Sequence, residues 1–208
     1  HRGARNAAAL LAAAFALLPF ANKGRALVDV QSHRTVMGGV SSWAKDDQEL
    51  GRTWNALSRL GFFPTVKGDA IYVRIDSSCQ TVLPAQDPQL RQSLVESTDF
   101  ERLPFLLDRH RRSLEIGAGG GRGIVIAKAM GAEQITGVEI NPGIVEASRS
   151  GFPGFGLGDL LHDPKVRYVN DEGRSFVQGT DERFDSLTIT FIQTGVASGS
   201  AAFALSEA

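Results

Sequence analysis

The sequence predicts an α/β protein in which a doubly wound parallel sheet is preceded by a small β-domain. Three observations carry this. Strands and helices alternate from Ser113 onward, the arrangement that produces a parallel sheet with helices on both faces. A glycine-rich turn, Gly117-Ala118-Gly119-Gly120-Gly121, joins the first of these strands to the first helix. Upstream, Ala70 to Asp76 sets Ile71, Val73 and Ile75 on one face and Tyr72 and Arg74 on the other, the period of two of a half-buried strand. The chain has 208 residues, 42% hydrophobic and 22% charged, which excludes collagen-like and wholly disordered chains and leaves no room for two large domains.

In chain order, residues 1–24 are read as a hydrophobic N-terminal segment, 25–87 as the small β-domain and 88–208 as the parallel domain. Ala7 to Ala21 is an uncharged run of 15 residues between Arg2 and Arg5 on one side and Lys23 and Arg25 on the other. It is shorter than the ~20 residues of a membrane span and contains Pro19, so three readings stand: a secretory-signal core, the tail of a transmembrane helix, or an apolar helix packed on the domain. The chain begins with His1 and stops at Leu205 to Ala208 inside what reads as an element, so a C-terminally truncated sheet and a membrane-helix tail are the expectation.

Ala26 to Val30 and Arg34 to Met37 read as further β-domain strands, and Pro84-Ala85-Gln86-Asp87-Pro88 punctuates the chain before a helical stretch to Leu107. Ser113 to Ile116 is the first parallel strand. Gly123 to Met130 is an apolar helix closed by Gly131, a residue suited to the left-handed position after a helix end. Ile135 to Ile140 is the second strand, and Asn141-Pro142 supplies a side-chain cap and a first-position proline for a helix to about Ser150. Gly151 to Gly158 reads as a surface loop, Val166 to Val169 as the third strand, and Phe184 to Ile192, nearly all apolar, as the fourth.

The chemistry concentrates at strand ends. A glycine turn before a helix lets backbone approach a ligand closely, and Glu139, 22 residues after Gly117 at the end of the next strand, can accept both hydroxyl hydrogens of a ribose. A dinucleotide fingerprint would need glycine where Arg122 stands. The run Glu115-x-Gly117-x-Gly119-x-Gly121 instead resembles the first motif of S-adenosylmethionine-dependent transferases, which implies a Rossmann-like fold of that transferase type. Asn170-Asp171-Glu172-Gly173-Arg174, after the third strand, can supply an acidic acceptor for an adenine amino group and a backbone N–H for the ring.

Glu115 to Arg122, Gly137 to Pro142 and Asp171 to Arg174 together resemble the spermidine synthase (polyamine aminopropyltransferase) family, and most its membrane-associated, spermidine synthase-like branch. Trp54 to Arg59 and Ile75 to Gln80 are similar to the small β-domain of that family. The resemblance implies a transferase taking S-adenosylmethionine or its decarboxylated form as donor, needing no metal, and passing an aminopropyl or methyl group to a small amine acceptor, a polyamine among them. It implies donor contacts at Glu115, Gly117, Ala118, Gly119, Gly121, Glu139, Ile140, Asp171, Glu172 and Gly173, and a pocket-lining role for Gln80. Thr190 and Gln193 stand where the family carries the carboxylates that hold the polyamine and help deprotonate the attacking amine. No catalytic residue is assigned, and a catalytically inactive nucleoside-binding or sensor domain of a membrane protein is the alternative.

Composition bounds the partners. With 22 Lys+Arg against 23 Asp+Glu the net charge is −1 and the isoelectric point about 6.5, so no field collects nucleic acid. The single cysteine, Cys79, makes no internal disulfide and reads as a small buried hydrophobe, and no zinc-ligand spacing occurs. The expected location is the membrane, with the soluble domain in the cytoplasm, or else the cytoplasm alone; the reading allows an oligomer.

Overall fold

The computed structural model describes residues 48–76, 79–107 and 111–189. The hydrophobic segment 7–21 and the strands expected at 26–30 and 34–37 lie outside these residues.

The first sheet is an antiparallel meander of β1 (Gly51–Trp54), β2 (Arg59–Pro64), β3 (Ala70–Ile75) and β4 (Cys79–Pro84), in that spatial order. Its turns are fixed by side chains. Asn55 accepts the N–H groups of Leu57 and Ser58 between β1 and β2, and Asp76, in the left-handed region at φ 53°, accepts the Arg59 N–H after β3. In the β3–β4 register Val73 lies opposite Thr81 and Arg74 opposite Gln80, so Thr81 and Gln80 point to opposite faces. One face carries Leu60, Phe62, Ile71, Val73 and Leu83, packed against Ile144 and Ala147 of the second half. The other face is not the solvated one that alternation predicts. Tyr72 is buried with Phe63 and Val82, and the Arg74 guanidinium lies 4.7 Å from the Phe63 ring centroid and 5.7 Å from that of Tyr72.

The stretch from Pro88 to Leu107 is two helices, α1 (Pro88–Glu96) and α2 (Asp99–Leu107), because the Thr98 hydroxyl donates to the carbonyls of Leu94 and Val95 and stops the first. Asp87 caps α1 through the N–H groups of Gln89 and Leu90.

The second sheet is parallel, with β5 (Arg112–Ile116), β6 (Gln134–Glu139), β7 (Val166–Asn170) and β8 (Ser186–Ile189) in the order β7-β6-β5-β8. The chain winds outward from β5 to β7 and then returns to the other side of β5, which sets a topological switch point at the carboxyl end of β5. On one face α3 (Arg122–Ala129) buries Ile124 to Ala127 against Ile135, Val166 and Tyr168; on the other, Leu114, Val138 and Phe176 pack together, Phe176 coming from α5 (Gly173–Gly179). Burying the methylenes of α3 alone contributes several kcal/mol, at roughly 25 cal/mol per Å².

Two expectations need correction here. The segment 151–158 is a surface loop only in its first half, where Gly151, Pro153 and Gly154 are exposed. After α4 (Pro142–Glu146) the helix widens into a π-type turn over Ala147–Gly151, and beyond it Leu157 is fully buried, Gly156 N–H donates to the Pro84 carbonyl, and Arg91 clasps Asp159 at 2.5 and 2.8 Å. Gly156 and Gly158 serve close approach to the π-type turn, where a Cβ would lie 2.2 Å from the Ser148 carbonyl oxygen and 2.8 Å from that of Arg149. The fourth parallel strand starts at Ser186 rather than Phe184 and is less covered than its apolar composition suggests: Leu187 is 53% exposed and Ile189 61%, because β8 is the outer strand among the described residues; the expected residues 190–192 lie outside these.

Among the described residues no helix is long and apolar enough to cross a membrane, and no group of three or more His, Cys, Asp or Glu could hold a metal ion.

Candidate nucleoside site

The site forms where β5, β6 and β7 end side by side. Gly117 and Ala118 both donate their N–H groups to the Val138 carbonyl, at 2.8 and 3.0 Å, which fixes the start of the glycine turn to β6. Gly121 N–H closes the turn on the Ala118 carbonyl at 2.9 Å, and Gly121 then opens α3 in the left-handed region at φ 98°. A Cβ there would strike Leu157 at 2.5 Å, so glycine is required on both counts.

Glu139, the last residue of β6, is 6% exposed. Its Oε2 accepts the Gly119 N–H at 2.9 Å and its Oε1 accepts the Asn141 N–H at 2.8 Å. Burial pushes its carboxyl above the ordinary value, and these two donors work against that. A carboxylate has about four lone-pair positions, so the backbone donors around Glu139 leave it acceptor capacity. Ile140 follows with an exposed side chain beside the turn end, held by Asn170, whose amide donates to the carbonyls of Glu139 and Ile140.

Asp171 is exposed at the end of β7; its own N–H meets the Glu139 carbonyl and its Oδ1 accepts the Glu172 N–H. Glu172 is occupied as the cap of α5, accepting from the N–H groups of Arg174 and Ser175 at 3.0 and 2.8 Å, which holds its carboxyl below the ordinary range. Gly173 stands against Ile116, where a Cβ would come within 2.4 Å of its Cγ2.

Glu115 lies beneath the first turn of α3, against Gly123, in a small cavity with Glu101, Phe105, Ser113, Ile126 and Thr188. Burial, reinforced by the Glu101 charge and opposed by Arg122, pushes its carboxyl up to about 8. Arg122, the residue that displaces the dinucleotide glycine, pairs with Glu101 at 2.8 Å.

The structure thus brings together Gly117, Ala118, Gly119, Gly121, Glu139, Ile140 and Asp171, with Glu115 below the turn and Glu172 and Gly173 at its side. Gln80 is not brought to the glycine turn: it is exposed on the far face of β4, where its Oε1 accepts the Tyr72 hydroxyl. Its neighbour Thr81 reaches the turn instead, accepting the Gly120 N–H at 3.0 Å. Thr190 and Gln193 lie outside the described residues.

Sequence reasoning missed four participants. Thr81 sits one residue from Gln80, and the phase of the β4 alternation, had a partner strand fixed it, was the signal. Tyr168 on β7 donates its hydroxyl to the Gly119 carbonyl, and Ser148 in the π-type turn donates to the Gly120 carbonyl at 2.9 Å. Asn141, expected as a cap, also accepts from Asn55 and donates to Ser58, both at 2.7 Å, tying α4 to the β1–β2 turn. Cys79 is buried, as expected of a small hydrophobe, and Asp185 serves structure by accepting the Arg112 N–H.

No family model matches the chain. It is 43% identical over 70 residues to the polyamine aminopropyltransferase of Serratia proteamaculans, covering 32% of this chain and 24% of that protein. To the polyamine aminopropyltransferase of Pectobacterium atrosepticum it is 41% identical over 97 residues, covering 46% and 33%. The chain therefore spans only about a quarter to a third of the length of the curated relatives it matches. Two crystal structures share the fold over 69% of this chain and 46% of theirs: spermidine synthase with a transition-state analogue, at TM-score 0.52 and 18% identity, and spermidine synthase from Thermotoga maritima, at 0.51 and 17%. The chain is thus similar in sequence to polyamine aminopropyltransferases over part of their length, and it shares its fold with the matched part of the spermidine synthases.

Proposed function

We propose that the chain carries the nucleoside-donor half of an aminopropyltransferase-type site, binding S-adenosylmethionine or its decarboxylated form and presenting it to a small amine acceptor. The observation that carries this is Glu139: a buried carboxylate at the end of β6, one strand from the switch point, oriented by the Gly119 and Asn141 N–H groups with acceptor capacity to spare. In this reading Glu139 holds the ribose hydroxyls, Ile140 packs on the base and Asp171 accepts the adenine amino group.

The glycine turn favours a donor without phosphate. The N–H groups of residues 117 to 121 all have internal acceptors, so a pyrophosphate would find no backbone donors there. A positively charged sulfonium near Glu139 meets no such obstacle. Its carbon is already electrophilic: the amine lone pair forms the new C–N bond, the C–S bond breaks, its electrons neutralise sulfur, and methylthioadenosine leaves when the aminopropyl group is transferred. The amine proton passes to solvent or a base, and the protein need only align the acceptor and exclude water. The same chemistry serves methyl transfer, in which the intact donor leaves as its demethylated thioether.

The presence of Thr190 and Gln193 in place of acids favours a second reading, in which the domain binds the nucleoside without turnover. Calorimetric titration of the full chain with decarboxylated S-adenosylmethionine, S-adenosylmethionine, methylthioadenosine and NAD tests the first. Binding of the sulfonium nucleosides with NAD excluded is expected; NAD bound in preference would overturn it. Labelled donor incubated with putrescine then separates the readings: a labelled polyamine supports transfer, and tight donor binding with no transfer to any amine supports the second.

A further inference from the structure

We infer that Thr81 of the N-terminal sheet is a positioning residue for the nucleoside donor, its hydroxyl holding the Gly119–Gly120 peptide in the form that receives the ligand. The inference rests on the donor-binding reading above. All four polar backbone atoms of Gly119 and Gly120 meet a side chain, each from a different part of the fold. Gly119 N–H donates to Glu139 Oε2 at 2.9 Å, and its carbonyl accepts from the Tyr168 hydroxyl. Gly120 N–H donates to Thr81 Oγ1 at 3.0 Å, and its carbonyl accepts from Ser148 Oγ at 2.9 Å.

Glu139, Tyr168 and Ser148 belong to the parallel half; Thr81 comes from β4. The approach is tight: a Cβ on Gly119 would lie 2.3 Å from Thr81 Oγ1, and one on Gly120 would lie 2.0 Å from the Val82 carbonyl oxygen. The peptide that Thr81 holds, Gly119–Gly120, adjoins the Ala118–Gly119 peptide whose N–H orients Glu139, so a shift of Gly120 is felt at the ribose acceptor through the Cα of Gly119. Asn141 adds a second tie between the sheets at the same edge, through Asn55 and Ser58. The small sheet is thereby part of the donor site, though its Gln80 faces the other way.

The test compares wild type, T81V and T81S as full chains. T81V keeps the shape and removes the acceptor, leaving the Gly120 N–H unpaired; T81S keeps the acceptor. Methylthioadenosine affinity is expected to fall roughly tenfold in T81V and to stay near wild type in T81S. Exchange of the Gly120 amide, measured without ligand, is expected to accelerate in T81V alone, while Gly121, bonded to Ala118, keeps its protection. If T81V does not fold, T81A takes its place. A purely structural Thr81 would lower the unfolding midpoint and leave the affinity of the folded protein unchanged; that result, or T81S binding as weakly as T81V, overturns the inference. If wild type binds no nucleoside, the donor reading fails and this inference with it; if wild type and T81V bind alike, this inference alone fails.

Discussion

Replacing Glu115 by glutamine should make the protein more stable, and increasingly so as pH rises. The Glu115 carboxyl is buried under α3, and its value is pushed from 4.5 to about 8. A carboxyl raised in the folded state contributes its full stability below the unfolded value, near 4.5, and loses it as pH rises through the folded one, near 8. At pH 7.5 the unfolded chain has released this proton and the folded chain has largely kept it. At 1.36 kcal/mol per unit, the difference of about 3 units between pH 7.5 and the unfolded value works against folding by about 4 kcal/mol. At pH 5 the same arithmetic gives under ~1 kcal/mol. Glutamine fills the same volume and stays neutral, so E115Q should gain ~3 kcal/mol at pH 7.5 after an allowance of ~1 kcal/mol for altered packing, and almost nothing at pH 5. Urea unfolding of both proteins at pH 5, 6, 7 and 8 reads the difference, and thermal unfolding should show an upward shift of roughly 10 °C at pH 7.5. A difference independent of pH, or E115Q less stable at pH 7.5, would refute the assignment of Glu115 as a carboxyl held neutral by burial.

Two further substitutions probe the frame of the site. G121A meets a left-handed backbone at φ 98° and a Cβ contact of 2.5 Å with Leu157, and should cost upwards of ~3 kcal/mol by urea unfolding; a loss below ~1 kcal/mol would mean the turn relaxes freely. N141A removes the α4 cap and both bonds to the β1–β2 turn, for an expected loss of ~2–3 kcal/mol, and should leave Asn55 and Ser58 exchanging faster; normal protection there would show that the tie is not formed in solution.

The parallel half was legible in the sequence because each of its signals is local. Asn141-Pro142 caps α4, Gly131 ends α3, and the spacing from Gly117 to Glu139 is one strand-turn-helix unit followed by a strand. What escaped depends on contacts between distant residues. Alternation in β4 gives two faces but does not say which one meets a turn 39 positions away; Thr81 makes that contact, while Gln80, on the other face, bonds Tyr72. The glycines of 151–158 look like loop residues because the same lack of a side chain that suits a loop also permits Gly156 to sit against Ser148 and Pro84. Tyr72 and Arg74 read as a solvated face because amphipathic side chains bury their apolar parts and stack on rings without changing the polar pattern. Glu172 combined the right residue type and position for a ligand acid with those for a helix cap, and only coordinates reveal that its carboxylate is engaged by Arg174 and Ser175.

The claim at the centre of this account is that Glu139 reads a ribose, and the most direct test changes the ligand and leaves the protein intact. Titrating the full chain with methylthioadenosine and with its 2′-deoxy counterpart should give binding of the first and at least roughly tenfold weaker binding of the second, since a buried carboxylate loses a charge-assisted hydrogen bond. Equal affinity for the two, or no binding of either, would contradict it.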